Sequence, residues 1–235
     1  MMTIKIIVAT HKRYDMPKED LYLPVFVGAS LSDLMLPYQR DDEGDNISYK
    51  NKTYCELTAL YWAYKNVKAD YIGLCHYRRY LDLKKIEISK EQIVLPKRRH
   101  YYIESVYDQF GHAHGFEGLD AVREIIKEYH PDYLHAFDTC MKKKSLHIYN
   151  MFVMRYDIFT EYCVFLFDVL FKTEMILGER NRLYGYIGER LLDVFIEKNN
   201  YPYIETEVIM TEKTDWPKKI LDFLRRKYLG RKHEV

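Results

Sequence analysis

Asp70-Tyr71-Ile72-Gly73-Leu74-Cys75-His76-Tyr77-Arg78-Arg79-Tyr80 runs a short apolar stretch straight into a dense polar cluster. Asp70–Cys75 has the length and bounded apolar character of a buried strand, and His76-Tyr77-Arg78-Arg79 is what that strand delivers at its carboxyl end. Working outward, Ile4–Ala9 reads as a second such strand, ending in Thr10-His11, and Ile93–Leu95 and Met151–Met154 read as two more. Between them the pattern turns helical. Leu57, Leu60, Tyr61 and Tyr64 fall at i, i+3, i+4, i+7 after Thr53, a fair N-cap. Further helices are predicted around Ile103–Phe110, Leu119–Tyr129 and Tyr133–Lys142, over the nearly all-apolar Tyr156–Lys172, and from about Gly188 to Lys198 with Leu191, Val194 and Phe195 inward. Residues 12–52 read as loop-rich, carrying Pro17, Pro24, Pro37 and a polar run from Gln39 to Asn46. Strands alternating with helices of this length predict an α/β domain whose sheet is covered on both faces. In such sheets ligands sit beyond the carboxyl ends of the strands, which directs attention to Thr10-His11 and His76–Arg79.

The chain has 235 residues, enough for one well-buried core, and no repeat or low-complexity linker divides it. Residues 1–214 are taken as the domain and 215–235 as a tail. Hydrophobic residues at 48% against 30% charged give a globular balance rather than a disordered one. The 23 tyrosines supply flat rings with a hydroxyl, surfaces that suit sugars and nucleosides as well as a core. Cys55, Cys75, Cys140 and Cys163 form no Cys-x-x-Cys pair, and no secretory leader or membrane-length apolar run is visible, so a cytoplasmic setting is expected. Of the net charge of +1, the segment Asp215 to Val235 contributes +4, leaving −3 for the rest. That speaks against a nucleic-acid-binding body.

Arg78 and Arg79, set between tyrosines, suit a pyrophosphate, because guanidinium forks bind phosphate oxygens bidentately and stay charged. The alternative is a surface turn salt-bridged to nearby acids. His76, His112 and His114 suggest a metal site, but no third ligand stands at a telling spacing. The glycine-bracketed Phe110–Gly115 reads as a flexible loop, in which His112 and His114 either touch a ligand or face water.

Several segments taken together resemble a known family. They are Gly44-Asp45-Asn46-Ile47-Ser48, Tyr54-Cys55-Glu56-Leu57-Thr58, Gly73 to Tyr80, Leu95-Pro96-Lys97-Arg98, Tyr101-Tyr102-Ile103-Glu104, His112-Ala113-His114, Asn150-Met151-Phe152 and Gly188-Glu189-Arg190-Leu191-Leu192. Spanning Ile4 to Val208, they resemble the bacterial capsular and exopolysaccharide biosynthesis glycosyltransferases, formerly described only as a domain of unknown function. The resemblance implies a single GT-A-like (Rossmann-like) domain and, for some members, transfer of galactofuranose from its uridine diphosphate donor. GT-A enzymes normally end the central strand in Asp-x-Asp, which holds a divalent ion. This chain has His76-Tyr77-Arg78 there, so cations from arginine are expected to stabilise the leaving diphosphate with no metal cofactor.

On that resemblance, Thr10 and His11 would meet the nucleobase and Asp45 and Asn46 the ribose or sugar, unless the latter pair merely caps a turn. Glu56 and Thr58 would be donor contacts or buried partners; His76, Tyr77, Arg78 and Arg79 would hold the donor. His112, His114, Asn150, Arg190 and Asp193 would line the acceptor side. Inversion needs a carboxylate base, and Glu189 is the candidate, read as opening a helix after the flexible Tyr184–Gly188, with Asp193 in reserve. Glu189, Asp193 and Glu197 equally fit an ordinary wet helix face. From Trp216 to Lys232, an apolar stripe of Ile220, Phe223, Leu224 and Tyr228 faces Lys218, Lys219, Arg225, Arg226 and Lys227. Such a basic amphipathic helix would bind the inner face of the cytoplasmic membrane near a lipid-linked glycan acceptor, or pack on protein. The leading expectation is therefore an inverting, UDP-sugar-dependent glycosyltransferase. A His-dependent metallohydrolase and a non-catalytic nucleotide-sugar-binding assembly factor are the rivals.

Overall fold

The computed structural model describes residues 2–212, so the basic amphipathic helix expected after residue 215 lies outside the described residues. The strands are β1 (Ile4–Thr10), β2 (Tyr22–Phe26), β3 (Gln39–Arg40), β4 (Tyr71–His76), β5 (Arg79–Leu81), β6 (Ile93–Pro96), β7 (Arg99–His100), β8 (Ser145–Leu146), β9 (Phe152–Arg155), β10 (Ile204–Thr206) and β11 (Val208–Met210). The helices are α1 (Asn51–Tyr54), α2 (Leu57–Asn66), α3 (Val106–His114), α4 (Glu117–Tyr129), α5 (Leu134–Lys142), α6 (Tyr156–Leu177) and α7 (Leu183–Asn199). Among the described residues nine strands make one mixed sheet, ordered β10-β6-β9-β4-β1-β2-β3, with β5 and β11 continuing from the end of β4. β1 pairs in parallel with β2 and β4, while β9 runs antiparallel between β4 and β6.

The period of two along each strand sorts the core into two layers. Ile7 and Ala9 of β1, Ile72 and Leu74 of β4, Ile93 and Leu95 of β6, and Phe152 and Met154 of β9 join the cluster that the helices bury. Phe159, Tyr162, Leu166 and Leu170 of α6 are at most 1% exposed there, each burial contributing about 1.5–3 kcal/mol. The other face carries Ile6, Val8, Tyr71, Cys75, Val94 and Val153, and among the described residues no α-helix covers it. Tyr80 and Leu81 of β5, the turn residue Ile88, and loop side chains such as Tyr14 and Met16 do so instead. Gly73 faces this layer, where a Cβ would come 2.8 Å from the Phe152 carbonyl oxygen and 3.0 Å from Val153. The central strand therefore carries no side chain at that position.

Three expectations are corrected. Residues 12–52 contain β2 and β3, the first interrupted by Pro24, which removes one ladder donor, and the second only two residues long. Thr53 is not an N-cap: it lies inside the single-turn α1, and the break before α2 falls at Cys55, whose φ of 53° departs from the helix. Finally, α7 begins at Leu183, so Tyr184–Gly188 is helix rather than a flexible approach, and Gly111–His114 is likewise the last turn of α3. These glycines are contact surfaces. A Cβ on Gly185 would meet Cys55 at 3.1 Å, and one on Gly111 would overlap the Phe116 ring at 2.0 Å. No helix among the described residues is long and apolar enough to cross a membrane.

Candidate functional site

β1 and β4 lie side by side and parallel, with β1 leading away to β2 and β4 leading away to β5 and β6 on the other side. That divergence opens a crevice at their carboxyl ends, the position at which open α/β sheets bind ligands. A cavity of about 290 Å³ occupies it, the lower end of the usual range for small-molecule sites. The strand ends contribute His11, His76 and Arg78. From α1 and the break that follows it come Asn51, Lys52, Cys55 and Glu56, and the turn between α6 and α7 adds Asn181 and Arg182. The two helical edges are tied together where the Arg182 amide donates to the Lys52 carbonyl at 2.8 Å.

The electrostatics of this cavity favour an anion. Lys52, Arg78 and Arg182 line it against a single carboxylate, Glu56. The Arg78 Nε is buried and finds no hydrogen-bond partner among the described residues, an orphaned donor of the kind that points to a ligand. The Arg78 guanidinium stands 3.8 Å from Glu212, which also lies 3.7 Å from Lys12. Burial, together with Arg78, Arg79, His11 and Arg182, pushes His76 down to about 3, and partial burial with Arg78 and Lys12 lowers His11. Both imidazoles are thus shifted first by burial and then by the surrounding cations. Cys55, by contrast, is pushed up to about 12, chiefly by burial, so its thiol stays protonated and unreactive.

These shifts yield a test. The His76 imidazole resonances should stay flat from pH 8 to 5 in the free protein and should gain a titration at higher pH once UDP is bound, because an added anion favours the protonated ring. A free-state midpoint near 6.5 would contradict the burial and cationic surroundings described.

Beside the cavity, two carboxylates meet one turn. Glu56, the N-cap of α2, accepts from Asn150 Nδ2 at 2.8 Å, and the second N–H of that amide goes to the Gly185 carbonyl at 3.0 Å. The Tyr149 amide donates to Glu189 Oε1 at 3.1 Å, while Arg190 Nη1 holds Glu189 Oε2 at 2.7 Å. Tyr149 and Asn150 have φ of 79° and 53°, two successive non-glycine residues in the left-handed region. Burial and the nearby Glu189 raise the Glu56 carboxyl above its ordinary range, against the Asn150 hydrogen bond and Arg182, which lower it.

The other expected site residues are placed as follows. Tyr77 is buried and packs edge-on to His11 without lining the cavity itself, and Arg79 lies 4.2 Å over the Tyr149 ring with its Nε buried and unpartnered among the described residues. Thr10 is fully buried, its hydroxyl closing a turn on Lys12. Thr58 is fully buried too, donating to Asp41 at 2.7 Å. Asp45 pairs with Lys65 of α2, while Asn46 bonds the Asp42 and Gly44 carbonyls of its own loop, and neither lines the cavity. Glu189 is the seventh residue of α7, so the first-turn dipole argument does not apply to it. Arg190 is buried between Glu189 and Gln109, with its Nε unpartnered among the described residues. Asp193 is buried on the far side, bonded to the His147 amide and ring and 3.5 Å from Arg98. His112 is exposed and pairs with Glu104, whereas His114 stacks on Tyr186, whose ring also carries Arg182. His76 shares neither setting, and among the described residues no three His, Cys, Asp or Glu side chains gather to hold a metal.

Asn51, Lys52, Asn181 and Arg182 were not anticipated. The signal available for the last two was the polar break Gly178-Glu179-Arg180-Asn181-Arg182 between two apolar helices.

A comparison with curated proteins gave no match. Among solved structures, the chain is similar to apo WbbM, described as a bifunctional glycosyltransferase, with a TM-score of 0.84 and 28% sequence identity. The similarity covers 90% of this chain and 46% of that one, so this chain spans about half the length of that protein. Residues 5–200 match the model of the family described as domain of unknown function DUF4422, and the chain, with its cationic crevice at the ends of β1 and β4, belongs to that family.

Proposed function

We propose that this chain is a glycosyltransferase that moves a sugar from a UDP-sugar to a lipid-linked or oligosaccharide acceptor in capsular or exopolysaccharide synthesis, with inversion and without a metal. The observation that carries the reading is the cavity itself. Three cations, Lys52, Arg78 and Arg182, surround a crevice at the switch point of a sheet that resembles a glycosyltransferase structure. As the sugar leaves, negative charge collects on the diphosphate, and fixed guanidinium groups stabilise it without reorganising. In this proposal Arg78 and Arg182 grip the diphosphate, and His11 and Tyr77 flank the nucleoside. His114, stacked on Tyr186, lies toward the acceptor.

A lipid-linked acceptor fits the rim. Leu31, Met35, Tyr49, Met175 and Ile176 are all exposed. Their segments adjoin the mouth: the Ser30 amide bonds Ser48, Lys50 pairs with Glu174, and Lys52 bonds Arg182. A cytoplasmic location, peripheral at the inner membrane face through the segment after residue 215, belongs to the same proposal.

The test is thermal-shift and turnover screening against a panel of UDP-sugars, UDP-galactofuranose among them, with and without excess EDTA. Stabilisation by one donor and EDTA-insensitive turnover are expected. Strict dependence on Mn²⁺ would overturn metal independence, and the absence of binding to any UDP-sugar would overturn the function.

A further inference from the structure

We propose that Glu56 is the catalytic base, taking the proton from the acceptor hydroxyl, and that Asn150 positions it. This rests on the reading of the chain as an inverting glycosyltransferase.

Among the described residues lining the cavity, Glu56 is the one carboxylate. It faces the same space as Arg78 and Arg182, as a base must that acts on the sugar carbon whose diphosphate those cations hold. Glu189 stands behind it, absent from the cavity lining, with one oxygen on the Tyr149 amide and the other on Arg190. A carboxylate so engaged has a fixed counter-ion, and its two oxygens are already committed. Asn150 is 1% exposed, and the Gly185 carbonyl, which can only accept, fixes the orientation of its amide. The donor aimed at Glu56 is therefore locked. Tyr149 and Asn150 hold this arrangement in left-handed backbone, and local strain of that kind gathers where geometry serves a site.

The competing bases in the cavity are imidazoles. His76, pushed down to about 3 by burial and its cationic neighbours, is a poor proton acceptor. Glu56 is shifted the opposite way, by burial and by Glu189, which makes its carboxylate the stronger proton acceptor.

The step balances. The acceptor oxygen forms its bond to the anomeric carbon as its proton passes to the Glu56 carboxylate. The bond from that carbon to the diphosphate oxygen breaks, and the electron pair leaves with UDP. Glu56, now a neutral acid, returns the proton to solvent.

The experiment is Glu56→Gln in the full chain, with UDP affinity, melting temperature and transfer rate measured together. Transfer should fall by about 10²–10⁴-fold, while UDP binds within a few-fold of wild type. Glu56→Asp should recover part of the rate and keep the acid limb of the pH profile, which guards against a Gln variant that folds poorly. Glu189→Gln should move that acid limb to lower pH, because it removes a charge that raises the Glu56 carboxyl. Transfer by Glu56→Gln within tenfold of wild type, or an abolished rate in Glu189→Gln alone, would overturn the assignment. Failure of the wild type to bind UDP would instead overturn the glycosyltransferase reading on which it depends.

Discussion

Arg78→Ala will weaken UDP binding by roughly 10- to 150-fold, the equivalent of the 1.5–3 kcal/mol carried by hydrogen bonds to charged groups. Arg78 lies in the turn just after β4 and lines the crevice, and its Nε is buried with no partner among the described residues. Its counter-charge, Glu212, is 3.8 Å away and about two-fifths exposed, so it neutralises Arg78 only weakly across solvent. An incoming diphosphate can supply the missing acceptors, and the arginine is already in place to receive them. Calorimetry with UDP and with uridine separates this role from a general loss of structure. UDP affinity should collapse in Arg78→Ala, and further when Arg182→Ala is added, while uridine binding changes little. Equal affinity of wild type and variant for UDP would remove Arg78 from the donor site.

The second large effect concerns stability. Asp41→Ala should cost about 3–5 kcal/mol, the range for stripping the partner from a buried polar network, and should lower the melting temperature by roughly 6–20 °C for a domain of this size. Asp41 is fully buried and accepts from the Gly28 and Ala29 amides at 2.9 and 3.0 Å and from the Ser48 and Thr58 hydroxyls. Removing the carboxylate leaves four donors facing a hole. Through Thr58 and Asn51 the network reaches Cys55, next to the cavity. Calorimetric or optical melting checks the magnitude, and a shift below 2 °C would mean that water or rearranged neighbours satisfy those donors.

What could be read from the sequence follows from how far apart the interacting residues stand. β1, β4, β6 and β9 are continuous apolar runs and declare themselves locally, as does α6. β2 was hidden because Pro24 breaks its pattern, and its pairing comes from β1. The start of α7 was misplaced for a different reason. Gly185 and Gly188 look like loop residues, yet they sit inside a helix because Cys55 and Leu57 press against them. The same distance effect governs the site. The strand-end rule led to His11, His76 and Arg78, and the motif around Cys55 included Glu56, all of which line the cavity. Lys52 and Arg182 arrive there from separate helical segments, brought together by a backbone bond between residues 130 apart, and no local pattern encodes that meeting. Thr58 and Asn46 bore plausible polar groups, but buried carboxylate and loop carbonyls had prior use for them.

The hairpin-like return of β11 onto β5 gives the domain two unlike poles. Thr3 is bonded to Asp70 at the amino end of the central strands, while the Thr211 amide donates to the Arg78 carbonyl and Glu212 faces the Arg78 guanidinium. Anything attached ahead of residue 4 begins a strand's length away from the crevice. Thr211 and Glu212, by contrast, stand on its threshold beside Arg78. A fluorescent reporter joined ahead of residue 4 would therefore leave the crevice undisturbed, whereas a substitution at Thr211 or Glu212 would act directly on its mouth.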